Sequence, residues 1–121
     1  MTKLIIAGSR SITDYNIVRN AIISQGIWKK YGGSLEVVCG LAKGVDSLGE
    51  EFAMNNNLKV YYFPANWDEN GKAAGHIRNK EMGDFAEILL AIWDGKSKGT
   101  KGMIEYMQSL GKDVYVEIIN D

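Results

Sequence analysis

Short apolar runs alternate with longer amphipathic stretches along this chain, and glycines stand where one gives way to the other. A strand buried in a parallel sheet reads as a near-continuous apolar run, whereas a helix packed on that sheet repeats its apolar residues every third or fourth position. The runs are Lys3–Ala7, Leu35–Cys39, Lys59–Phe63, Ile88–Trp93 and Asp113–Ile118. The amphipathic stretches are Asp14 to about Tyr31, Asp46 to about Asn55, Ala74 to about Ala86, and Lys101 to Leu110. Strand–helix alternation requires right-handed crossovers and a parallel sheet covered on both faces. The expected fold is therefore α/β, a Rossmann-like three-layer sandwich with a five-stranded, mainly parallel sheet. With 121 residues and no repeat, low-complexity tract or linker, the chain reads as one domain over residues 1–121.

Composition removes several function classes. One cysteine, Cys39, cannot form an intrachain disulfide or a cysteine-based zinc site, and it fits a reducing cytoplasm. One histidine, His76, cannot anchor a histidine-rich metal centre, so no metal or cofactor is expected. The longest apolar run, Ile88–Trp93, is far short of a membrane span. The N-terminal segment reads as a first strand rather than a signal peptide. The formal net charge is −1, which argues against nucleic acid as a partner, because phosphate neutralisation favours a basic protein.

Ligands of open parallel sheets sit beyond the carboxyl ends of the strands, where strand order reverses. That rule nominates the loops Gly8–Thr13, Gly40–Asp46, Pro64–Gly75 and Asp94–Thr100. Gly8-Ser9-Arg10 offers close backbone approach, a hydroxyl and a charge-assisted fork. Gly40-x-x-x-Gly44-x-Asp46 is a second glycine-rich turn opening a helix, with Asp46 read as a plain N-cap. It is neither a P-loop nor the dinucleotide fingerprint. Gly95-Lys96-Ser97-Lys98-Gly99-Thr100 reads as a phosphate-cradling loop, with Asp94 ending the strand before it. Arg78 stands near a helix start, where the dipole gives an arginine nothing. Trp28 and Trp93 read as packing residues. Trp67 lies in a loop and either stacks a ring or plugs a gap. The candidate ligand-binding residues are thus Gly8, Ser9, Arg10, Gly40, Gly44, Trp67, Arg78, Asn79, Asp94, Ser97, Gly99 and Thr100. Their convergence requires the first and fourth strands to be neighbours.

Taken in order, Ala7-Gly8-Ser9-Arg10, Gly40–Asp46, Phe63–Trp67, Gly71–Gly75, Arg78–Met82 and Asp94–Thr100 resemble the SLOG superfamily, in particular its small YspA/YpsA-related branch. The resemblance implies a nucleotide-binding Rossmann-like domain. It suggests a nucleotide-derived small molecule, such as ADP-ribose or an NAD derivative, held for sensing or sequestration. Related enzymes are dimers, so a homodimer is implied as well. The same superfamily includes the "Lonely guy" phosphoribohydrolases, which release a base from a nucleoside monophosphate. His76-Ile77-Arg78 and Met82 are similar to the first part of their signature. The second part differs, because Met103 stands where those enzymes carry glutamate. An N-glycosidase is therefore the alternative, with Asp94, Asp68 or Glu69 as a relocated carboxylate. A third reading, suggested by the superfamily's DNA-processing members, is a protein- or single-strand nucleic-acid-binding module.

Overall fold

The computed structural model describes residues 1–40 and 44–119. Leu41, Ala42 and Lys43 of the second glycine-rich loop lie outside the described residues. Strands β1 (Thr2–Gly8), β2 (Leu35–Cys39), β3 (Val60–Tyr62), β4 (Ile88–Trp93) and β5 (Asp113–Ile118) form one sheet in the order β3-β2-β1-β4-β5. Every pairing among them is parallel, so the expected "mainly parallel" sheet is wholly so. From β1 the chain winds outward through β2 to β3, then returns to place β4 on the other side of β1. The reversal falls between β1 and β4, whose register runs from Leu4↔Ile88 to Gly8↔Ile92.

Strand alternation divides the apolar residues between two cores. Leu4, Ile6, Ile88, Leu90 and Ile92 face α1 (Tyr15–Ser24), α2 (Ile27–Tyr31) and α3 (Val45–Asn55), where Val18, Ile22, Ile27 and Phe52 meet them. Ile5, Ala7, Leu89 and Ala91 face the opposite layer. There they meet Met82 of the helix Ala74–Phe85, and Met103, Ile104 and Met107 of the helix Lys98–Ser109. Both faces of the sheet are thus covered, as its apolar runs require.

The first amphipathic stretch is two helices rather than one. Asp14 caps α1 by accepting from the Asn16 N–H at 2.9 Å, but the helix stops at Ser24. Gly26 at φ +78° then turns the chain before α2. The apolar period continues across this break because both helices press on the same core. The segment 64–73 also departs from the expected loop. A single turn of helix, α4 (Trp67–Asn70), is capped by Asn66, whose side chain accepts from Glu69 N–H at 3.1 Å. It leads through a 3₁₀ turn into α5 (Ala74–Phe85). Finally, α6 (Lys98–Ser109) starts a turn earlier than the expected Lys101. Its first turn is rich in glycine, a poor helix former, yet burial of Met103, Ile104 and Met107 holds the helix in place. Thr100, expected in the phosphate-cradling loop, is accordingly inside the helix.

A candidate ligand groove at the strand-order reversal

Gly8 ends β1 directly beside Ile92 of β4, and a Cβ there would collide with the Ile92 carbonyl oxygen. Only a bare backbone brings the two strand ends this close. Ser9 follows, 2% exposed, and ties the two loops together. Its N–H donates to Ile92 O at 3.1 Å, and its Oγ accepts from Asp94 N–H at 3.1 Å. Ser9 is therefore a structural link between loops. Arg10 is exposed beyond it. Gly44, at φ +78°, packs against the backbone of Ser9 and Arg10, so the turn into α3 braces the Arg10 loop from behind.

Asp94 organises the other side. Its Oδ1 accepts from the N–H groups of Lys96 and Ser97, each at 2.8 Å. Those bonds, Ser97's first, hold its carboxyl below the usual aspartate range, with a smaller contribution from Ser9. The turn delivers the chain to α6, whose first residues, Lys98, Gly99 and Thr100, face the β1 loop across a cleft. N–H groups of a first helical turn lack intrahelical acceptors and favour an anion there.

Arg78 enters from α5. Its Nη1 donates to Gly40 O, and its Nε donates to Asn79 Oδ1 at 3.0 Å. Gly40 has no side chain to obstruct it. These two bonds use two of the five N–H hydrogens of the guanidinium. The fork is thus pinned without being saturated.

These elements enclose a cleft of about 120 Å³ lined by Gly8, Arg10, Arg78, Asn79, Ser97, Gly99 and Thr100. An adjoining cleft of about 210 Å³ shares Arg10, Arg78, Asn79 and Gly99 and adds Trp67, His76, Lys98 and Gly102. Trp67 in turn borders an open hollow along Pro64–Asp68. The loops named from sequence therefore converge on one groove. Ser9, Gly40, Gly44 and Asp94 support its walls without lining either cleft.

Four residues that line the first cleft, Ala7, Asp46, Met82 and Met103, are outside the list of candidates drawn from the sequence. Met82 and Met103 form its apolar side, and Asp46 contributes a carboxylate that is 7% exposed. Asp46 is not the N-cap expected of it, because Gly44 holds that position and Asp46 sits in the first turn of α3. Its placement within a Gly-x-Asp turn opening a helix was the available signal. Met103 is 1% exposed and lies in the cleft wall, so the thioether stands inside the site itself. Asp94 Oδ1 is already engaged by two N–H groups, while Asp68 and Glu69 are exposed on α4 away from the first cleft.

Comparison with known proteins agrees with this architecture. The sequence profile of the YspA, cpYpsA-related SLOG family matches residues 2–69. The chain belongs to that family. Gene 61 protein of Mycobacterium phage D29 is 32% identical over 117 residues, spanning 92% of each chain. Among solved structures, DNA processing protein A from Streptococcus pneumoniae superposes with a TM-score of 0.75 at 19% identity. The match covers 96% of this SLOG chain and 50% of that protein. DNA processing protein A from Helicobacter pylori, described for its single-stranded DNA binding mode, superposes with a TM-score of 0.69 at 21% identity, covering 95% and 64%. The chain thus spans between half and two-thirds of these structural neighbours, and at such identities they establish the shared fold.

Two expectations are corrected here. The reading of a nucleotide-derived small molecule, with nucleic acid set aside on net charge, runs against fold neighbours that are DNA processing proteins, one with a single-stranded DNA binding mode. A net charge of −1 describes the whole chain, whereas Arg10, Arg78 and Lys98 gather on one groove. No helix among the described residues is long and apolar enough to cross a membrane.

Proposed function

We propose that this SLOG domain binds single-stranded nucleic acid, DNA in the first instance, along the groove at the β1/β4 reversal. The observation that carries the reading is an open groove bearing Arg10, Arg78 and Lys98, with exposed Trp67 on its course. Cations that track a backbone, together with an exposed aromatic ring, suit a flexible strand whose bases are unpaired. An enclosed pocket would suit a small ligand better. Phosphates are received by the Arg78 fork and the first turn of α6, positions fixed by backbone hydrogen bonds before any ligand arrives. The likeness to DNA processing proteins supports the same partner class.

The test is fluorescence anisotropy of a labelled single-stranded oligonucleotide titrated with the protein, alongside the same sequence as a duplex. Tighter binding of the single strand, weakened by Arg78→Ala, is expected. Equal, salt-insensitive affinity for both forms, or none for either, would reject the proposal.

A further inference from the structure

The two edges of the sheet are finished differently. β3 is 3 residues long and is preceded by Lys59. Phe63 N–H donates to Cys39 O at 2.9 Å, so Pro64 is the next residue of its outward-facing row. Short length, lysine and proline are devices that keep an edge from pairing. β5 is 6 residues long and contains neither lysine nor proline. Ile119 N–H donates to Trp93 O at 2.8 Å, so Ile119, and with it Glu117 and Tyr115, turns its peptide groups toward β4. The alternate residues Val114, Val116 and Ile118 turn theirs outward. Gln25 reaches the middle of this row from the end of α1, its Nε2 donating to Val116 O at 3.2 Å and to Glu117 Oε1 at 3.1 Å. A carbonyl oxygen has two lone pairs, so Val116 O can still accept in the plane of the sheet. Val114 and Val116 are only partly covered by the α6 layer, and Ile118, on the same face, is 48% exposed. On the α1 side a hollow of about 240 Å³ along Ile17, Ala21 and Ile119 runs beside the same edge.

Any extended segment can pair with such an edge, but the side chains of β5 favour a second β5. An antiparallel pair about a two-fold axis must set outward residues against outward residues. Centred on Tyr115, it would put Asp113 opposite the partner's Glu117. Centred on Glu117, it would put the two Glu117 carboxylates face to face. Like charges directly opposite each other destabilise a pair. Centred on Val116, the pairing sets Glu117 opposite the partner's Tyr115, and no acid meets an acid. On the other face Val116 then meets the partner's Val116, and Val114 meets the partner's Ile118. That apolar row is the one the α6 layer leaves partly uncovered.

We propose that β5 is the contact surface of a symmetric dimer, its two β5 strands antiparallel in the Val116-centred register and its two five-stranded sheets joined into one. The pairing gives partners to the outward N–H and C=O groups of Val114, Val116 and Ile118 in both copies. Because the strands run in opposite directions across the axis, the two grooves open at opposite ends of the joined sheet. The inference is independent of what the groove binds.

Sedimentation equilibrium of the full chain, from low micromolar to submillimolar protein, should show the mass rising from 13.4 kDa toward twice that value. Ile118→Lys, at an exposed position, should raise the dissociation constant by at least about tenfold, while dilute protein melts as wild type does. Under mild oxidation Val116→Cys should run as a cross-linked dimer on a non-reducing gel. Residue 116 meets itself across the axis with Cα atoms about 5.5 Å apart, within reach of a disulfide. Val114→Cys should stay uncross-linked, because its counterpart lies about 13 Å further along the strand. Cys39 is buried, so wild type gives no cross-link of its own. A 13.4 kDa species at every concentration would overturn the proposal. So would a dimer that Ile118→Lys leaves intact, or one in which Val114→Cys cross-links as readily as Val116→Cys.

Discussion

At the scale of single residues, Arg78 shows how a functional side chain can be held by the fold and still offer donors. Its bonds to Gly40 O and Asn79 Oδ1 fix the plane of the guanidinium. Arg78→Ala should weaken single-strand binding by about 1.5–3 kcal/mol, the range for a hydrogen bond to a charged group. Calorimetric titration measures the affinity, and an unchanged melting temperature confirms that the fold survives. Gly8 belongs to the architecture instead. Gly8→Ala would drive a Cβ into the Ile92 carbonyl and should cost about 1–3 kcal/mol in urea denaturation by forcing the strand ends apart. Asp94 has a pH signature. Its folded pKa is depressed, chiefly by the Ser97 and Lys96 N–H groups, so as pH falls the unfolded chain binds the proton first. Its contribution to stability is therefore present above the ordinary carboxylate value of about 4 and disappears as pH falls through the lower folded value. The stability difference between wild type and Asp94→Asn should close as pH is lowered from about 5 toward 2. A difference that persists at the acid end would assign the effect to geometry rather than charge.

At the scale of elements, the end of α5 is secured by a residue that no local pattern reveals. Lys112 Nζ donates to Gly83 O at 2.7 Å, Asp84 O at 3.1 Å and Ala86 O at 2.8 Å, from the turn before β5. A helix C-terminus leaves its last carbonyls unpaired and carries partial negative charge, so an ammonium there satisfies both needs. Lys112→Met keeps the apolar stem and removes the charge. It should lower stability by about 1–2 kcal/mol, seen as a shift in urea midpoint with unchanged m value. Strands and long helices were legible because burial imposes a period on the sequence. Ile88–Trp93 and Asp113–Ile118 have the boundaries the apolar runs mark. The break at Gly26 was not legible, because α1 and α2 share one core and the apolar spacing runs on through it. The early start of α6 was hidden for the opposite reason. Its glycines and lysines read as loop, and only packing by residues a turn further along makes them helical. The groove was legible in outline because glycines and cations cluster at strand ends. The buried Asp46 of its walls looks, in sequence, like an ordinary cap, whereas Met103 stands out only through the resemblance, at the position where the related enzymes carry glutamate.

At the scale of the whole molecule, 14 basic residues nearly balance 15 acidic ones, and the sum conceals how charge is arranged. Arg10, Arg78 and Lys98 lie on the groove together with the first turn of α6 and one buried carboxylate, Asp46, whereas Glu87 pairs with Lys3 near the opposite ends of the strands. A strand approaching this protein meets a field that depends on the face it encounters, and only within about a Debye length of it. This sets the expected salt dependence. Three cations neutralising three phosphates give a slope of about −2 for log affinity against log salt on a single strand. Raising salt from about 50 to 200 mM should then weaken binding roughly 20-fold, much less than for a broadly basic protein. Arg78→Ala should make the slope shallower by about 0.7, and Trp67→Ala should lower affinity while leaving the slope alone. The check is anisotropy at four or more salt concentrations for the three proteins. A wild-type slope near zero would mean that the groove cations do not meet phosphate. A Trp67→Ala slope that moves with Arg78→Ala would mean that the indole acts by placing charge instead of by stacking.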